Sequence, residues 1–252
     1  MGIYAMTGGA TGIGAAIKNQ LRARGDTVIV VDIKNADVIA DLSTREGRQA
    51  AVAAILARAP EGLDGFVACA GVGPYVNPAL IVRLNYFGAV EVTEGLRSAL
   101  ERRGGSVVVI SSNSAPMSPD AEYVDLLLAG DEAGACERVA AQNGQVAYSG
   151  SKAAVARWVR RNAPAWAAAG VRVNAVAPGL IRTPLSDSAT SDPRFAEAMQ
   201  NFEKTIPIGR VGQPDDIAGP VLFLLGPEAG FICGAMLFID GGHDASFRPD
   251  QF

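Results

Sequence analysis

The sequence predicts an α/β fold, a parallel sheet wound with helices on both faces, and three observations predict it. Seven short β-branched runs recur along the 252 residues. Several are apolar without alternation, as strands covered on both faces are. Between most of them lie Ala-, Leu- and Arg-rich stretches of helical length. The chain thus repeats strand, helix, strand, which means βαβ units and parallel pairing. Glycine is plentiful (29) and aromatics are scarce (6%), which suits tight βα turns and close helix–sheet contacts.

In chain order, the first run, 2–6 (GIYAM), leads through a glycine-rich loop to a helix over 13–24. The run at 27–32 (TVIVVD) ends on an acid, and 37–40 (DVIA) follows as a short strand before a helix over 45–59. The buried-type run 65–69 (GFVAC) precedes a long helix over 79–101. The run 105–111 (GSVVVIS) precedes a helix over 147–168, 171–177 (VRVNAVA) a helix over 214–225, and 235–239 (AMLFI) closes the set. No Pro/Gly/Ser-rich linker divides the chain and no repeat of fixed period appears. It reads as one domain over 1–252, a size that α/β folds reach as a single unit.

Two segments break this rhythm. Residues 113–146 hold a loop (NSAPMSPDA) and then a helical excursion, long for a βα connection and therefore an insertion. Residues 184–213 form a second long segment after a strand's carboxyl end, where ligands of such sheets sit, and are expected to be a substrate loop.

Composition excludes several classes. A net charge of −4 with no Lys/Arg cluster argues against nucleic-acid binding, which needs a basic stripe. Hydrophobic residues at 49% exclude a disordered chain. The longest apolar stretches, 107–110 and 217–225, are too short to span a bilayer, and MGIYAMTGG lacks the pattern of a signal peptide. Cys69, Cys136 and Cys233 are odd in number, without metal-ligand spacing or a disulfide framework. A single histidine, His243, argues against a His-based metal site or a Ser-His-Asp triad. A soluble protein of the reducing cytoplasm is expected, with no nucleic-acid or membrane partner.

The first βα turn reads Thr7-Gly8-Gly9-Ala10-Thr11-Gly12-Ile13-Gly14. Gly8, Gly12 and Gly14 let the backbone approach a pyrophosphate, and the following helix offers free N–H groups and a positive dipole end. A tight βα turn alone would also explain these glycines. Asp32 strengthens the binding reading, because it ends the next strand, where a carboxylate accepts from both ribose hydroxyls of an adenosine and repels a 2′-phosphate. NAD is favoured over NADP. Thr11 is not basic, which agrees, and Lys34 reads as a solvated lysine.

Tyr148 and Lys152 share one helix face in YSGSK. A neighbouring ammonium stabilises a phenolate, so Tyr148 is a candidate general acid/base. The Gly-rich loop, Asp32, Cys69-Ala70-Gly71, Asn85 in LNYFGA, Ser111-Ser112 after VVVI, Tyr148-x-x-x-Lys152, Pro178-Gly179 and Asp240-Gly241-Gly242 follow in this order. Together they resemble the short-chain dehydrogenase/reductase family across essentially the whole chain. The resemblance implies a single-domain, doubly wound Rossmann fold with a seven-stranded parallel sheet, NAD as cofactor, and a Ser-Tyr-Lys-Asn tetrad. It makes Tyr148 the acid/base, with Lys152 lowering its pKa and bonding the nicotinamide ribose. Ser112 holds the substrate oxygen and Asn85 a relay water. It also implies cofactor contacts from Gly8, Thr11, Gly12, Ile13, Gly14, Asp32, Gly71, Tyr148 and Lys152, from Asp41 and Leu42 beside the adenine, and from Thr183 in PGLIRT.

The family's usual N-N-A-G reads Ala68-Cys69-Ala70-Gly71 here, so Cys69 is expected to be an apolar filler. The run from Gly71 to Asn85 is shortened, and 36 positions separate Ser112 from Tyr148, more than the family usually shows. The strings TGIGAA, DVIADLST, DGFVACAGVGP and the ending RPDQF resemble the family's bacterial 3α-hydroxysteroid dehydrogenase/carbonyl reductase branch. That resemblance implies reversible oxidation of a hydrophobic secondary alcohol, steroids included. Another hydrophobic alcohol, or a non-catalytic NAD-sensing role, is the alternative. In relatives, the helices beginning near Asn85 and carrying Tyr148 pack between subunits. The insertion should cover them, docking through 124–128 with Asp131, Glu132 and Glu137 in water. A homodimer through 214–225 and the last strand is expected instead. His243 reads as a turn or surface residue, Trp158 and Trp166 as packing, and Pro164 as a kink. Met199 and Phe202 read equally as pocket wall or as helix packing.

Overall fold

The computed structural model describes residues 1–118, 120–191 and 196–251. In it the strands are β1 (Ile3–Thr7), β2 (Thr27–Asp32), β3 (Val38–Ile39), β4 (Gly65–Ala68), β5 (Ser106–Ile110), β6 (Arg172–Pro178) and β7 (Met236–Ile239). They form one seven-stranded sheet of order β3-β2-β1-β4-β5-β6-β7, parallel throughout. Chain order reverses between β1 and β4, where Thr7 is in register with Ala68. That reversal opens a crevice at the carboxyl ends of the strands.

Helices clothe both faces. Side chains alternate along each strand, so one face collects Phe66, Val107 and Val109 and the other Val67, Val108 and Val176. The second face is covered by α1 (Gly12–Ala23). The first carries α2 (Arg45–Arg58), whose N-cap Thr44 accepts from the Gly47 amide.

The helix expected over 79–101 is broken into four pieces. They are α3 (Pro78–Ile81), a π-turn (Val82–Phe87), α4 (Gly88–Gly95) and α5 (Arg97–Glu101). Asn85 occupies the π-turn, a feature that often marks functional sites and that hydrophobic periodicity does not reveal.

The 113–146 segment contains a short 3₁₀ turn (Ala115–Met117), α6 (Ala121–Leu128) and α7 (Glu132–Val139). Next comes α8 (Gly144–Ala168), continuous through Pro164 rather than broken there. Val124 and Leu127 are buried, and α6 packs on α8 while α7 packs on α3 and the π-turn. Gly150 permits this approach, since a Cβ there would strike the Tyr123 ring. Asp131 and Glu137 face water as expected. Glu132 is only partly exposed, because it pairs with the buried Arg48 guanidinium at 2.6 Å. An interior cation needs an anion, and α7 supplies one.

After β6 come α9 (Pro184–Ser191), α10 (Ala196–Lys204), α11 (Pro214–Leu225) and, following β7, α12 (His243–Phe247). The helix α11 packs beside α1. Trp158 and Trp166 are packing residues, buried edge to face with centroids 5.9 Å apart. Among the described residues no helix is long and apolar enough to cross a membrane.

Candidate active site

A cavity of about 860 Å³ runs along the carboxyl edge of the sheet, across the crevice between β1 and β4. Gly8, Thr11, Gly12, Ile13, Gly14, Asp32, Leu42 and Thr183 line one part of it, and Gly71 lines it beside Lys152. The first βα turn folds back on itself here. Gly8 (φ 74°) and Gly12 (φ 56°) hold left-handed conformations that suit glycine. A Cβ on Gly8 would lie 2.6 Å from the Ala70 amide nitrogen, and one on Gly14 would strike the Gly8 carbonyl. Thr183 closes the loop from above, its methyl 3.2 Å from where a Gly12 Cβ would be. No side chain caps α1, so its first N–H groups remain for an anion.

Asp32 stands at the end of β2, its Oδ2 accepting from the Ala10 amide at 2.9 Å and its Oδ1 from the Ile33 amide at 2.7 Å. The loop thereby holds this carboxylate at the cavity wall. Glycine cradle, open helix end and acid together fit an adenine dinucleotide with a free ribose diol. Asp41 lies apart. Its carboxylate accepts from the Ser43 hydroxyl and amide at 2.7 and 2.9 Å, which holds its pKa below the usual range, and it does not contribute to the cavity wall.

At the middle of the cavity the structure brings together Ser112, Tyr148, Lys152 and the Gly71–Asn85 contact. The α8 helix presents Tyr148 and Lys152 on one face, with the lysine Nζ 5.7 Å from the phenol ring centroid. Lys152 Nζ donates to the Ile110 carbonyl at 2.9 Å. Asn85 is buried, its Oδ1 accepting from the Val72 amide and its Nδ2 donating to the Val72 carbonyl, both at 2.9 Å. Gly71 fills the narrow space between Asn85 and Lys152: a Cβ on it would be 3.1 Å from Asn85 Oδ1 and 3.8 Å from Lys152 Nζ.

Burial governs the electrostatics. It raises the pKa of Tyr148, and the hydrogen bond with Ser112 opposes that rise. The neighbouring Tyr75 adds to the rise, so Tyr148 is shifted upward, opposite to the lowering expected from Lys152. The same burial lowers Lys152 to about 8, so it keeps its ammonium at neutral pH but holds the proton less tightly than a free lysine does. Cys69 is pushed up to about 12 by burial, which keeps its thiol protonated and inert. It is the apolar filler the sequence suggests.

The outer wall comes from Tyr75, Met117, Gln145, Met199, Phe202, His243 and Phe247 among others. Met199 and Phe202 therefore face the cavity. His243 is buried rather than at the surface. It sits between the rings of Phe202 (4.6 Å) and Phe247 (4.8 Å), with Nδ1 3.2 Å from Asn113 Nδ2. The turn at Gly241 and Gly242 directs α12 inward, which the local sequence did not announce. Tyr75 was also missed. It is the aromatic in the short 71–77 loop, and its hydroxyl lies 3.5 Å from Met199 Sδ.

The family described as short chain dehydrogenase matches residues 3–123, and the one described as enoyl-(acyl carrier protein) reductase matches 133–244. The chain is 43% identical to the 3-alpha-hydroxysteroid dehydrogenase/carbonyl reductase of Comamonas testosteroni, covering 100% of both. It is 31% identical to the cis-4-hydroxycyclohexanecarboxylate dehydrogenase of Sinomonas cyclohexanicum, covering 96% of each chain. Among solved structures, the 3-alpha-hydroxysteroid dehydrogenase from Pseudomonas sp. B-0831 complexed with NADH superposes with a TM-score of 0.95 at 46% identity, over 99% of this chain and 100% of that one. Sheet order, glycine turn, Tyr148-x-x-x-Lys152 helix and full-length identity agree: the chain belongs to the short-chain dehydrogenase/reductase family and is an oxidoreductase.

Proposed function

We propose that this protein interconverts a hydrophobic secondary alcohol and its ketone with NAD, and that its substrates are 3α-hydroxysteroids and related carbonyl compounds. The observation that carries the reading is the grouping of Ser112, Tyr148 and Lys152 at the middle of a cavity whose inner end suits an adenine dinucleotide. The full-length identity to hydroxysteroid dehydrogenases supports the substrate class. Asp32 supports NAD over NADP, because a carboxylate repels a 2′-phosphate.

Bound NAD supplies the hydride chemistry. The residues of the chain supply the rest. In our reading Ser112 Oγ donates to the substrate oxygen, Tyr148 Oη takes or returns its proton, and Lys152 stabilises the charge that develops on Tyr148. Asn85 orders the polar groups behind Lys152, through its paired bonds to Val72. Met199, Phe202 and Phe247 provide the apolar wall that excludes water from the reacting atoms.

We further propose a cytoplasmic homodimer through α11 and β7. Exposed Phe223, Phe231 and Leu237 on that side support the interface, and the α6 and α7 cover on α8 and the π-turn argues against the alternative one. Three unpaired cysteines support a reducing compartment.

The test is reduced-nicotinamide absorbance across 3α-hydroxysteroids, 3β-epimers and simple aryl and terpene alcohols, with NAD and NADP in parallel. The reading expects turnover of 3α-hydroxysteroids with NAD. Turnover confined to the non-steroidal alcohols, or equal use of NADP, would overturn it.

A further inference from the structure

Arg48 is only 1% exposed, although it belongs to no part of the cavity wall. Its guanidinium joins four elements. Starting from α2, Nε donates to Glu91 of α4 at 2.8 Å and Nη2 to Glu132 of α7 at 2.6 Å. Nη1 reaches the Arg83 carbonyl in the π-turn at 3.5 Å, and the group lies 5.8 Å from the Phe87 ring centroid in the same turn. Arg83 also approaches Glu132, at 3.5 Å.

A π-turn shifts the phase of everything that follows by one residue, and it is an uncommon geometry that its surroundings must hold in place. Here the shifted residue is Asn85, which must meet both polar atoms of Val72 and stand beside Gly71 and Lys152. Within the turn, the Arg83 carbonyl accepts from the Gly88 amide. From outside, Arg48 grips the same carbonyl, and Glu132 orients Arg48. A planar fork with acceptors on two helices fixes orientation in a way that a point charge does not.

We propose that Arg48 and Glu132 are positioning residues, through which α7 holds the π-turn in the geometry that directs Asn85 toward Gly71 and Lys152. The 113–146 segment then has a part in the chemistry as well as in covering α8. This rests on the reading of Asn85 as a member of the catalytic set.

The test compares two ways of loosening the same segment. Glu132→Ala and Arg48→Lys release the π-turn. Asp120→Asn loosens α6 and α7 from their other end, where Asp120 takes bonds from Arg138 and Gln142 without touching the π-turn. Steady-state kinetics with NAD and a 3α-hydroxysteroid are measured beside thermal melts. Glu132→Ala and Arg48→Lys should lower kcat on the order of 10- to 100-fold, the scale of a misplaced catalytic group, with the KM for NAD held. Glu132→Gln keeps an acceptor and should restore most of kcat. Asp120→Asn should lower the melting temperature and keep kcat. An unchanged kcat in Glu132→Ala, or an equal loss in Asp120→Asn, overturns the proposal. Asn85→Ala run in parallel separates the two failures. If it keeps wild-type kcat while Glu132→Ala loses it, the role of Asn85 is wrong and the proposed route falls with it.

Discussion

Tyr148 and Lys152 lie one helical turn apart, and both are taken out of water by the fold. Changing Tyr148 to Phe removes the ionisable hydroxyl and keeps the ring. Turnover should fall roughly 100- to 10,000-fold, while NADH binding followed by fluorescence titration is largely retained. A variant that keeps most of its kcat would mean that another group carries the proton. In the role proposed for it, Tyr148 accepts a proton in the oxidation direction, so the rate should rise with pH. A flat profile, with chemistry shown to be rate-limiting, would count against the pair. Asp32→Ala should erode the preference for NAD, read as the ratio of kcat/KM with NAD to that with NADP.

At the scale of elements, the two helices between β5 and α8 are fastened to each other by Asp120. Burial pushes this carboxyl up, but bonds from Arg138, Gln142 and the Tyr123 amide outweigh it and hold the pKa at about 2. A depressed carboxyl contributes stability that is present above its unfolded value of 3.8 and is lost as pH falls through about 2. Asp120→Asn should therefore destabilise the protein by about 1 to 2 kcal/mol at neutral pH. The difference from wild type should shrink between pH 4 and 2 in denaturant titrations. A difference that stays constant over that window would locate the effect in packing. These helices were legible in the sequence as amphipathic excursions with an apolar run at 124–128. The Arg48–Glu132 pair was not, because the partners are 84 positions apart. An acid on a short helix reads as solvated until a buried cation is found opposite it. The π-turn was hidden for a related reason: 79–101 reads as one apolar helix, and only the bonds of Asn85 to a distant loop show where its phase slips.

For the whole molecule, strand number, element order and the crevice followed from the repeated βαβ rhythm and the glycine turn. The inward course of α12, which brings His243 and Phe247 into the cavity, depended on left-handed Gly241 and Gly242 and had no periodic signal. Assembly is tested on the intact chain. Light scattering should report twice 26.0 kDa, and Phe223→Asp with Leu237→Asp should give monomers that keep their fold by circular dichroism. A species of four chains in the wild type would contradict the dimer.

Lys152 carries one more consequence, for how the protein responds to selection. The folded state binds its proton more weakly than the unfolded chain, with a pKa of about 8 against 10.5. Below pH 8 the full penalty of burying the cation is present, and it declines as pH rises from 8 to 10.5. At neutral pH that is about 3 kcal/mol. Lys152→Met should therefore melt higher than wild type, by roughly 2–4 °C for each kcal/mol recovered, while losing turnover. A lower melting temperature would mean that the bond to the Ile110 carbonyl outweighs desolvation. A library of this protein screened for heat resistance alone would enrich dead variants at this position, so thermostable and active lineages must be selected together.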